Sequence, residues 1–306
     1  MASATLDSLR PAVRLVNFCL GIKPLAAAAK HQARTMMINR AEQIGVPWRQ
    51  RAAELQARDW TEEFQRVHNP DVTYPDYYLK PFHAYDQGNL CWQAATEAEV
   101  AAYAVHARIW PAAGRQGDAQ LRQSYHDLLL QHLPTAPRAI LDVGCSVGMS
   151  SFALQRVYPE AQITGLDLSP HFLAVAQYQS QQQGAAIRWV HRPAEATQLP
   201  DESFDLVSLF LICHELPHPA TASILQEARR LLRPGGHLAL MDMNPQSTVH
   251  ATMPPYILTL LKSTEPYLDD YFTLDLPGLI TAGGFQSPRL VANSPRHRTL
   301  IAQIVT

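Results

Sequence analysis

Charge is scarce in this chain. Only 17% of its residues are Asp, Glu, Lys or Arg, and 25 bases against 27 acids leave a net charge of −2. A general nucleic-acid binder holds its polyanion with a basic excess, so that class is set aside. Cysteine is scarce as well. Cys19, Cys91, Cys145 and Cys213 are scattered without CxxC spacing, and two of them fall in or beside expected strands. They read as reduced thiols of a cytoplasmic compartment and not as a disulfide framework. No long apolar run is present either. The stretch from Leu15 to Ala29 is interrupted by Asn17, Lys23 and Pro24, so it suits neither a secretory signal nor a membrane span. A short organellar transit peptide stays open, although Asp7 counts against one, since such peptides avoid acids. There is no internal repeat and no low-complexity run.

What the chain does have is apolar bulk. Its 306 residues are 47% hydrophobic, enough for one large domain or a domain with a sizeable cap. The most informative stretch is 140–169, ILDVGCSVGMSSFALQRVYPEAQITGLDLS. An apolar run, Ala139 to Val143 with Asp142 inside it, ends in the small-residue loop Gly144-Cys145-Ser146-Val147-Gly148. An amphipathic stretch with Phe152, Leu154 and Val157 follows. A second apolar run, Ile163 to Leu166, then ends in Asp167. The pattern is strand, tight turn, helix, strand, acid. Such a turn lets a ligand approach the backbone at a helix N-terminus, and the distal acid can take a ribose diol.

The loop resembles motif I of the class I S-adenosylmethionine-dependent methyltransferases, acid-x-Gly-x-Gly-x-Gly, with Ser146 at the middle Gly. A nicotinamide dinucleotide site is the competing reading. It would require Gly-x-Gly-x-x-Gly, and that frame reads Gly144-x-Ser146-x-x-Met149 here, without the third Gly. Asp142 favours the methyltransferase too, because a carboxylate beside the loop helps hold a cationic amino-acid ligand and would repel a pyrophosphate.

Further motifs extend the resemblance. Ala194-Glu195, Leu199-Pro200 and Ser203-Phe204-Asp205 match the family's stretch around strands three and four, with Pro193 where an Asp is usual. A backbone contact at Ala194, or Glu195, would then serve the adenine. Leu231 to Asn244 resembles the strand-five motif, with Pro234-Gly235-Gly236 as a turn, and is read as fold rather than chemistry. Strand four ends in Leu211-Ile212-Cys213-His214-Glu215-Leu216-Pro217-His218. His214 to His218 spells the zinc-protease pattern HExxH, but that pattern needs a helix. Pro217 removes a donor and pushes Leu216 out of the helical region, so no metal is expected. In the family this loop faces the transferred methyl, which makes His214 and Glu215 the candidate catalytic residues.

Upstream, residues 10–51 carry eight Lys or Arg and one acid, Glu42. Leu15, Phe18, Cys19 and Ile22 fall at helical spacing until Pro24 punctuates, and a second helical pattern runs to about Ile44. These helices either pack on the second domain with solvated basic faces or rest on an anionic membrane as a peripheral contact. Residues 69–92, NPDVTYPDYYLKPFHAYDQGNLCW, cannot form a regular helix because Pro70, Pro75 and Pro81 break it. The segment is expected to be a lid or pocket wall, and His83, Tyr85 and Tyr78 are its candidate substrate contacts. Tyr85 could also meet the cofactor's carboxylate. Tyr267 and Tyr271, between late elements, are the remaining substrate candidates.

The expected architecture is an α/β doubly wound seven-stranded Rossmann-like sheet over 116–306, with a mostly helical N-terminal cap over 1–115. Strands are expected near 139–143, 162–166, 187–191, 204–211, 237–242, 285–291 and 299–305. The resemblance implies S-adenosyl-L-methionine as cofactor, held by Asp142, Gly144, Ser146, Gly148, Asp167, Leu168, Ala194, Glu195 and Leu211. It implies in-line methyl transfer to a small hydrophobic acceptor of quinone, isoprenoid or other lipid-like type, with no nucleic-acid partner. His214 is the expected base where the acceptor must lose a proton. An NAD(P)-dependent oxidoreductase and a non-catalytic binding protein of the same fold are the alternatives. Oligomeric state is not legible.

Overall fold

Alternate residues of each central strand point to opposite faces, and both faces are apolar. The computed structural model describes residues 23–83, 85–110, 112–262 and 264–305. The strands are β1 (Ala139–Val143), β2 (Gln162–Asp167), β3 (Arg188–His191), β4 (Phe204–Phe210), β5 (Leu232–Met243), β6 (Arg289–Ala292) and β7 (His297–Gln303). They form one sheet in the order β3-β2-β1-β4-β5-β7-β6, with β7 antiparallel to both neighbours. In β1, Leu141 and Val143 join a core with Val207, Leu209, Leu238 and Leu240, whereas Ile140 joins Leu206, Phe210, Ala239 and Met241 on the other side. Two-sided burial of this kind is what parallel strands require.

Among the described residues, four helices make up the first part: α1 (Lys23–Gln43), α2 (Trp48–Gln56), α3 (Thr61–Val67) and α4 (Trp92–His106). α5 (Gly117–His132), α6 (Met149–Val157), α7 (Pro170–Gln183) and α8 (His218–Leu231) alternate with the strands. α9 (Thr248–Ala251), α10 (Pro255–Lys262), α11 (Leu268–Thr273) and α12 (Leu276–Ala282) fill the interval between β5 and β6. Local chemistry sets several of these ends. The Ser169 hydroxyl accepts from the Phe172 N–H at the start of α7, Pro170 opens its first turn, and Gly184 closes it in the left-handed conformation.

The first four helices pack onto the second half of the chain. Trp48, Ile38 and Ala41 bury against Val100 and Ala104, joining α1, α2 and α4. Leu55, Trp60, Ala94 and Ala95 pack with Phe172, Leu173 and Val175 of α7 and with Cys145 and Val147 of the small-residue loop. The cap therefore supports the loop from outside the sheet. A buried ionic cluster closes the join: Asp118 in α5 accepts from Arg122 at 2.9 Å and meets His106 of α4 at 2.7 Å. Burial opposes the Asp118 charge, but Arg122 and His106 outweigh it and hold its carboxyl well below the usual range.

The second helical pattern, expected to run to about Ile44 after Pro24, is α1, and Pro24 lies in its first turn, where the missing N–H costs nothing. Other expectations are corrected. The helical pattern of Leu15, Phe18, Cys19 and Ile22 lies outside the described residues. Some of the expected basic face is paired internally: Arg34 bonds Glu97, and Arg51 lies 3.6 Å from Glu99. The Pro234-Gly235-Gly236 turn is a bulge within β5, where the pairing skips from Phe204–Leu232 to Leu206–His237. The last two strands shift to 289–292 and 297–303, because pairing of His297 with Met243 fixes their register. No helix among the described residues is long and apolar enough to cross a membrane.

Candidate active site

β1, β2 and β5 end in or beside an acid, and the turn after β4 carries His214 and Glu215, so that polar residues gather at one rim of the sheet. The small-residue loop folds back over β2, with the Gly144 and Cys145 N–H groups both donating to the Leu166 carbonyl, at 2.8 and 3.1 Å. This bend puts Gly144, Ser146 and Gly148 at positive φ. Gly148 is required by its neighbours as well. A Cβ there would meet the Trp189 ring at 2.6 Å and Phe152 at 2.9 Å. At Gly144 the corresponding space belongs to Ile212, whose Cδ1 would lie 2.3 Å from a Cβ.

The two acids flanking the loop are held differently. Asp167 accepts from the Ser146 N–H on one oxygen and the Ser169 N–H on the other, each at 2.8 Å. Burial nevertheless raises its pKa to about 6, against the pull of those N–H groups. Asp142 has no exposed surface, and its Oδ2 accepts from the Ser150 and Ser151 hydroxyls at 2.6 Å each. Burial raises it to about 6 too. Asp142 thus works from beneath the loop, and any pull it exerts on a cationic ligand acts through the loop.

Residues 69–92 run across this rim as a roof. The Asn69 N–H donates to His191 Nδ1 at 3.0 Å, and Tyr74 OH lies 3.4 Å from the ring's other nitrogen. His191 Nε2 also meets the Leu168 carbonyl at 3.1 Å. Tyr77 donates to Glu195 Oε1 at 2.5 Å, so the Ala194-Glu195 turn is tied to the roof. The Ser169 hydroxyl donates to the Asn89 carbonyl at 2.7 Å. Burial, reinforced by Asp167 and Glu215, pushes the Tyr78 hydroxyl well above its usual range. A second segment completes the roof. The His83 N–H donates to the Thr264 carbonyl at 3.1 Å, and Tyr77 and Tyr267 meet edge to face at 6.2 Å.

At the ends of β4 and β5 lies a chain of ionisable groups. His214 Nδ1 is 2.8 Å from Asp242 Oδ1, and its N–H donates to Asp242 Oδ2 at 3.2 Å. His214 Nε2 is 4.0 Å from Glu215 Oε1, which lies 3.4 Å from His83 Nε2; His83 Nε2 is 3.1 Å from Glu265 Oε1. Burial opposes the His214 charge, but Asp242 outweighs it and raises the pKa to about 10. Burial likewise opposes the His83 charge, and Glu265 and Glu215 raise it to about 9. Burial lifts Glu215 to about 7 while the two imidazoles hold it back.

These placements correct the site residues in four respects. Asp242 holds the His214 ring through Nδ1 and favours its charged form, which counts against His214 as the expected base; Glu215 is the carboxylate beside it. Tyr85 turns its hydroxyl to Glu97 in α4, at 2.8 Å, and not into the cleft. Tyr271 is fully buried and donates to the Met243 carbonyl at 2.6 Å, so it is core. Asp242 and Glu265 were missed. Asp242 carries the same signal as Asp142 and Asp167, an acid at the end of an apolar strand, and only the reading of that motif as pure fold hid it. Nothing local marks Glu265. Leu211, at φ +59, keeps its strand-end place, and Ile212 reaches the loop. His218 bonds the Asp270 carbonyl, away from His214.

The same rim decides whether the residues suit an adenosyl sulfonium. Asp142 Oδ1, Glu195 Oε2 and Glu265 Oε2 are buried carboxylate oxygens without a partner. Such acceptor-only atoms suit a ligand rich in donors and positively charged.

The chain resembles known proteins over part of its length. The family model described as a methyltransferase domain matches residues 140–236. Residues 140–236 thus resemble a methyltransferase domain. Over 112 residues it is 38% identical to a Mycobacterium leprae protein named phthiotriol/phenolphthiotriol dimycocerosates methyltransferase, covering 37% of this chain and 40% of that one. Over 136 residues it is 31% identical to a ubiquinone biosynthesis O-methyltransferase of Ralstonia nicotianae, covering 44% and 53%. The chain thus spans about half the length of these relatives. A solved SAM-dependent methyltransferase from Aquifex aeolicus aligns with a TM-score of 0.49 at 18% identity, covering 65% of this chain and 95% of that one. The matched part of the methyltransferase domain holds the loop, Asp167, Glu195, His214 and Glu215. His83 and Glu265 lie outside it.

Proposed function

We propose that the protein is an S-adenosylmethionine-dependent methyltransferase acting on a small, hydrophobic acceptor with an ionisable hydroxyl or carbon acid. The observation that carries this is the pairing of Asp167 with the Ser146 N–H of the loop and the Ser169 N–H at the start of α7, under an aromatic roof. That pairing fixes a carboxylate at the turn where a ribose diol would be held. Glu195, with its free Oε2, would serve the adenine side. Asp142 would add negative potential from below. S-adenosylmethionine, when bound, supplies an electrophilic methyl on a sulfonium, so the chain need only position, exclude water and take a proton.

Each of these tasks has residues. Tyr74, Tyr77 and Tyr78 bring aromatic surface over the rim, which suits a quinone-like, isoprenoid or lipid-like acceptor. The roof keeps bulk water from the transfer site. Glu215, raised toward neutrality, is the base suited to a hydroxyl acceptor, since a base works best with a pKa near the working pH. His214, fixed by Asp242, orients and charges the wall beside it. The relatives named for ubiquinone biosynthesis and for a phenolphthiotriol dimycocerosate support the same acceptor class.

Calorimetry with S-adenosylmethionine and its demethylated product tests the cofactor. Saturable binding of both in the micromolar range, roughly −8 kcal/mol, is expected. Absence of binding to either, or tight binding of NAD(P) instead, overturns the reading. Metabolite comparison of deletion and parent cells then identifies the acceptor.

A further inference from the structure

Methyl transfer from a sulfonium to a hydroxyl releases a proton in a place from which water is excluded. That proton must leave. Five side chains from four separate segments form a row in which carboxylate and imidazole alternate: Glu265, His83, Glu215, His214, Asp242. The successive contacts are 3.1, 3.4, 4.0 and 2.8 Å. Exposure rises along the row as far as His83 and falls again at Glu265. The Asp242 side chain is 0% accessible, His214 9%, Glu215 23%, His83 39% and Glu265 13%. The row therefore starts in the core and meets solvent at His83.

We propose that this row is a proton relay in which His83, carried by the roof, passes the acceptor's proton from Glu215 to water. The proposal rests on the methyl-transfer reading above. The acceptor O–H bond breaks as its oxygen gains the methyl carbon; that carbon's bond to the sulfonium would break with its electron pair left on sulfur, and the proton goes to Glu215 Oε1. His83 gives a ring proton to water and takes the Glu215 proton on the nitrogen so freed. One proton has then moved from acceptor to solvent, and the row regains its starting charge. His214 does not exchange its role with Glu215; its Asp242-held charge keeps Glu215 ionised between turnovers.

The groups facing each member support this order. Glu215 faces His83, His214, Glu265 and Asp167, with the Tyr78 phenol nearby. His83 faces Glu265, Glu215 and His214, and its ring meets the Phe82 ring at 4.5 Å. Once Glu215 is protonated, His83 loses one of the two carboxylates that hold its charge, so release to water becomes easier at the moment it is needed. The backbone is set for this placement. His83 sits at φ +48, a left-handed conformation that is costly for a non-glycine residue, and the Thr264 carbonyl secures it. Strain is retained where a side chain must be presented at one point, and this one presents an imidazole between two carboxylates.

Proton exchange can be followed without the acceptor. In protein with nitrogen-15-labelled histidine, the lifetime of the His214 Nε2–H against water is read by NMR in the parent and in His83→Gln. The relay predicts a lifetime at least ten-fold longer in the variant, with the Asp242-bonded Nδ1–H unchanged. An unchanged or shorter Nε2–H lifetime overturns it. Glu265→Gln keeps the His83 ring and covers the case in which His83→Gln does not fold. Its His83 titration midpoint should fall toward the ordinary histidine value, and a midpoint that stays in place shows that the row is not coupled. Binding of the demethylated cofactor product is measured separately by calorimetry. Failure there removes the methyltransferase reading, while the exchange data still decide whether protons travel along the row.

Discussion

The floor and the roof of the cleft are built on different physics. In the floor, Asp142 and Asp167 are held at 2.6–2.8 Å by hydroxyls and N–H groups from the loop and the helix starts beside it. These bonds close within some thirty residues of chain. The roof is held by single contacts between segments far apart in sequence: Tyr77 to Glu195, Asn69 to His191, His83 to Thr264, Glu215 and Glu265. A floor of short local bonds is rigid and preorganised. A roof of isolated polar contacts should open at lower cost, which is what the proposed role over a bound ligand requires.

The sharpest way to break this contrast is at Gly148. Gly148→Val places a branched side chain at φ +86 against the Trp189 and Phe152 rings. Strain and overpacking together should destabilise the fold by about 3–5 kcal/mol, measured by urea unfolding. A loss under about 1 kcal/mol would mean that the floor yields as readily as a surface loop. Asp167→Ala comes next. It should weaken binding of the demethylated cofactor product by about 1–3 kcal/mol in calorimetry, since the ribose hydroxyls lose a charged acceptor. Parent-like affinity would remove the ribose assignment.

pH sharpens the same point. Asp167 has a folded pKa of about 6, above the ordinary carboxylate value. Hydroxyl donors favour its ionised form, so binding pulls this pKa down. Affinity for the product should therefore fall as pH drops through about 6, by up to about ten-fold per unit. A flat profile from pH 7 to pH 5 would contradict it. The smallest effect belongs to the roof. Tyr77→Phe removes one hydrogen bond to Glu195 and should cost about 1 kcal/mol of stability or less. Its clearer readout is hydrogen exchange over 74–92, which should be slowed by saturating product in the parent and less so in the variant. Equal protection with and without product would leave the roof as a fixed wall.

How much of this could be read in advance follows the same division. The order strand, loop, helix, strand, acid over 140–169 is written in consecutive residues, and β1, α6 and β2 fall where the pattern puts them. Asp142, Asp167, His214 and Glu215 are legible as polar residues at the ends of apolar runs. The prolines at 70, 75 and 81 announce that 69–92 cannot be a regular element. They do not say where its side chains point, so Tyr85 and His83 looked equivalent although one turns to α4 and the other into the cleft. Tyr271 and Tyr267 looked equivalent for the same reason, and burial alone separates them.

The sequence by itself determined the sheet, its flanking helices and the floor, because hydrophobic periodicity and turn chemistry act between residues a few positions apart. It also determined which acids end apolar strands. The company those groups keep was settled by the tertiary structure alone. Asp242 of a neighbouring strand reaches the His214 ring and favours its charge. Two imidazoles from different segments flank Glu215. Glu265 entered the row because the segment after α10 folds back over the roof. Charge interactions of this kind depend on distance in space and on burial, and neither is encoded by spacing along the chain.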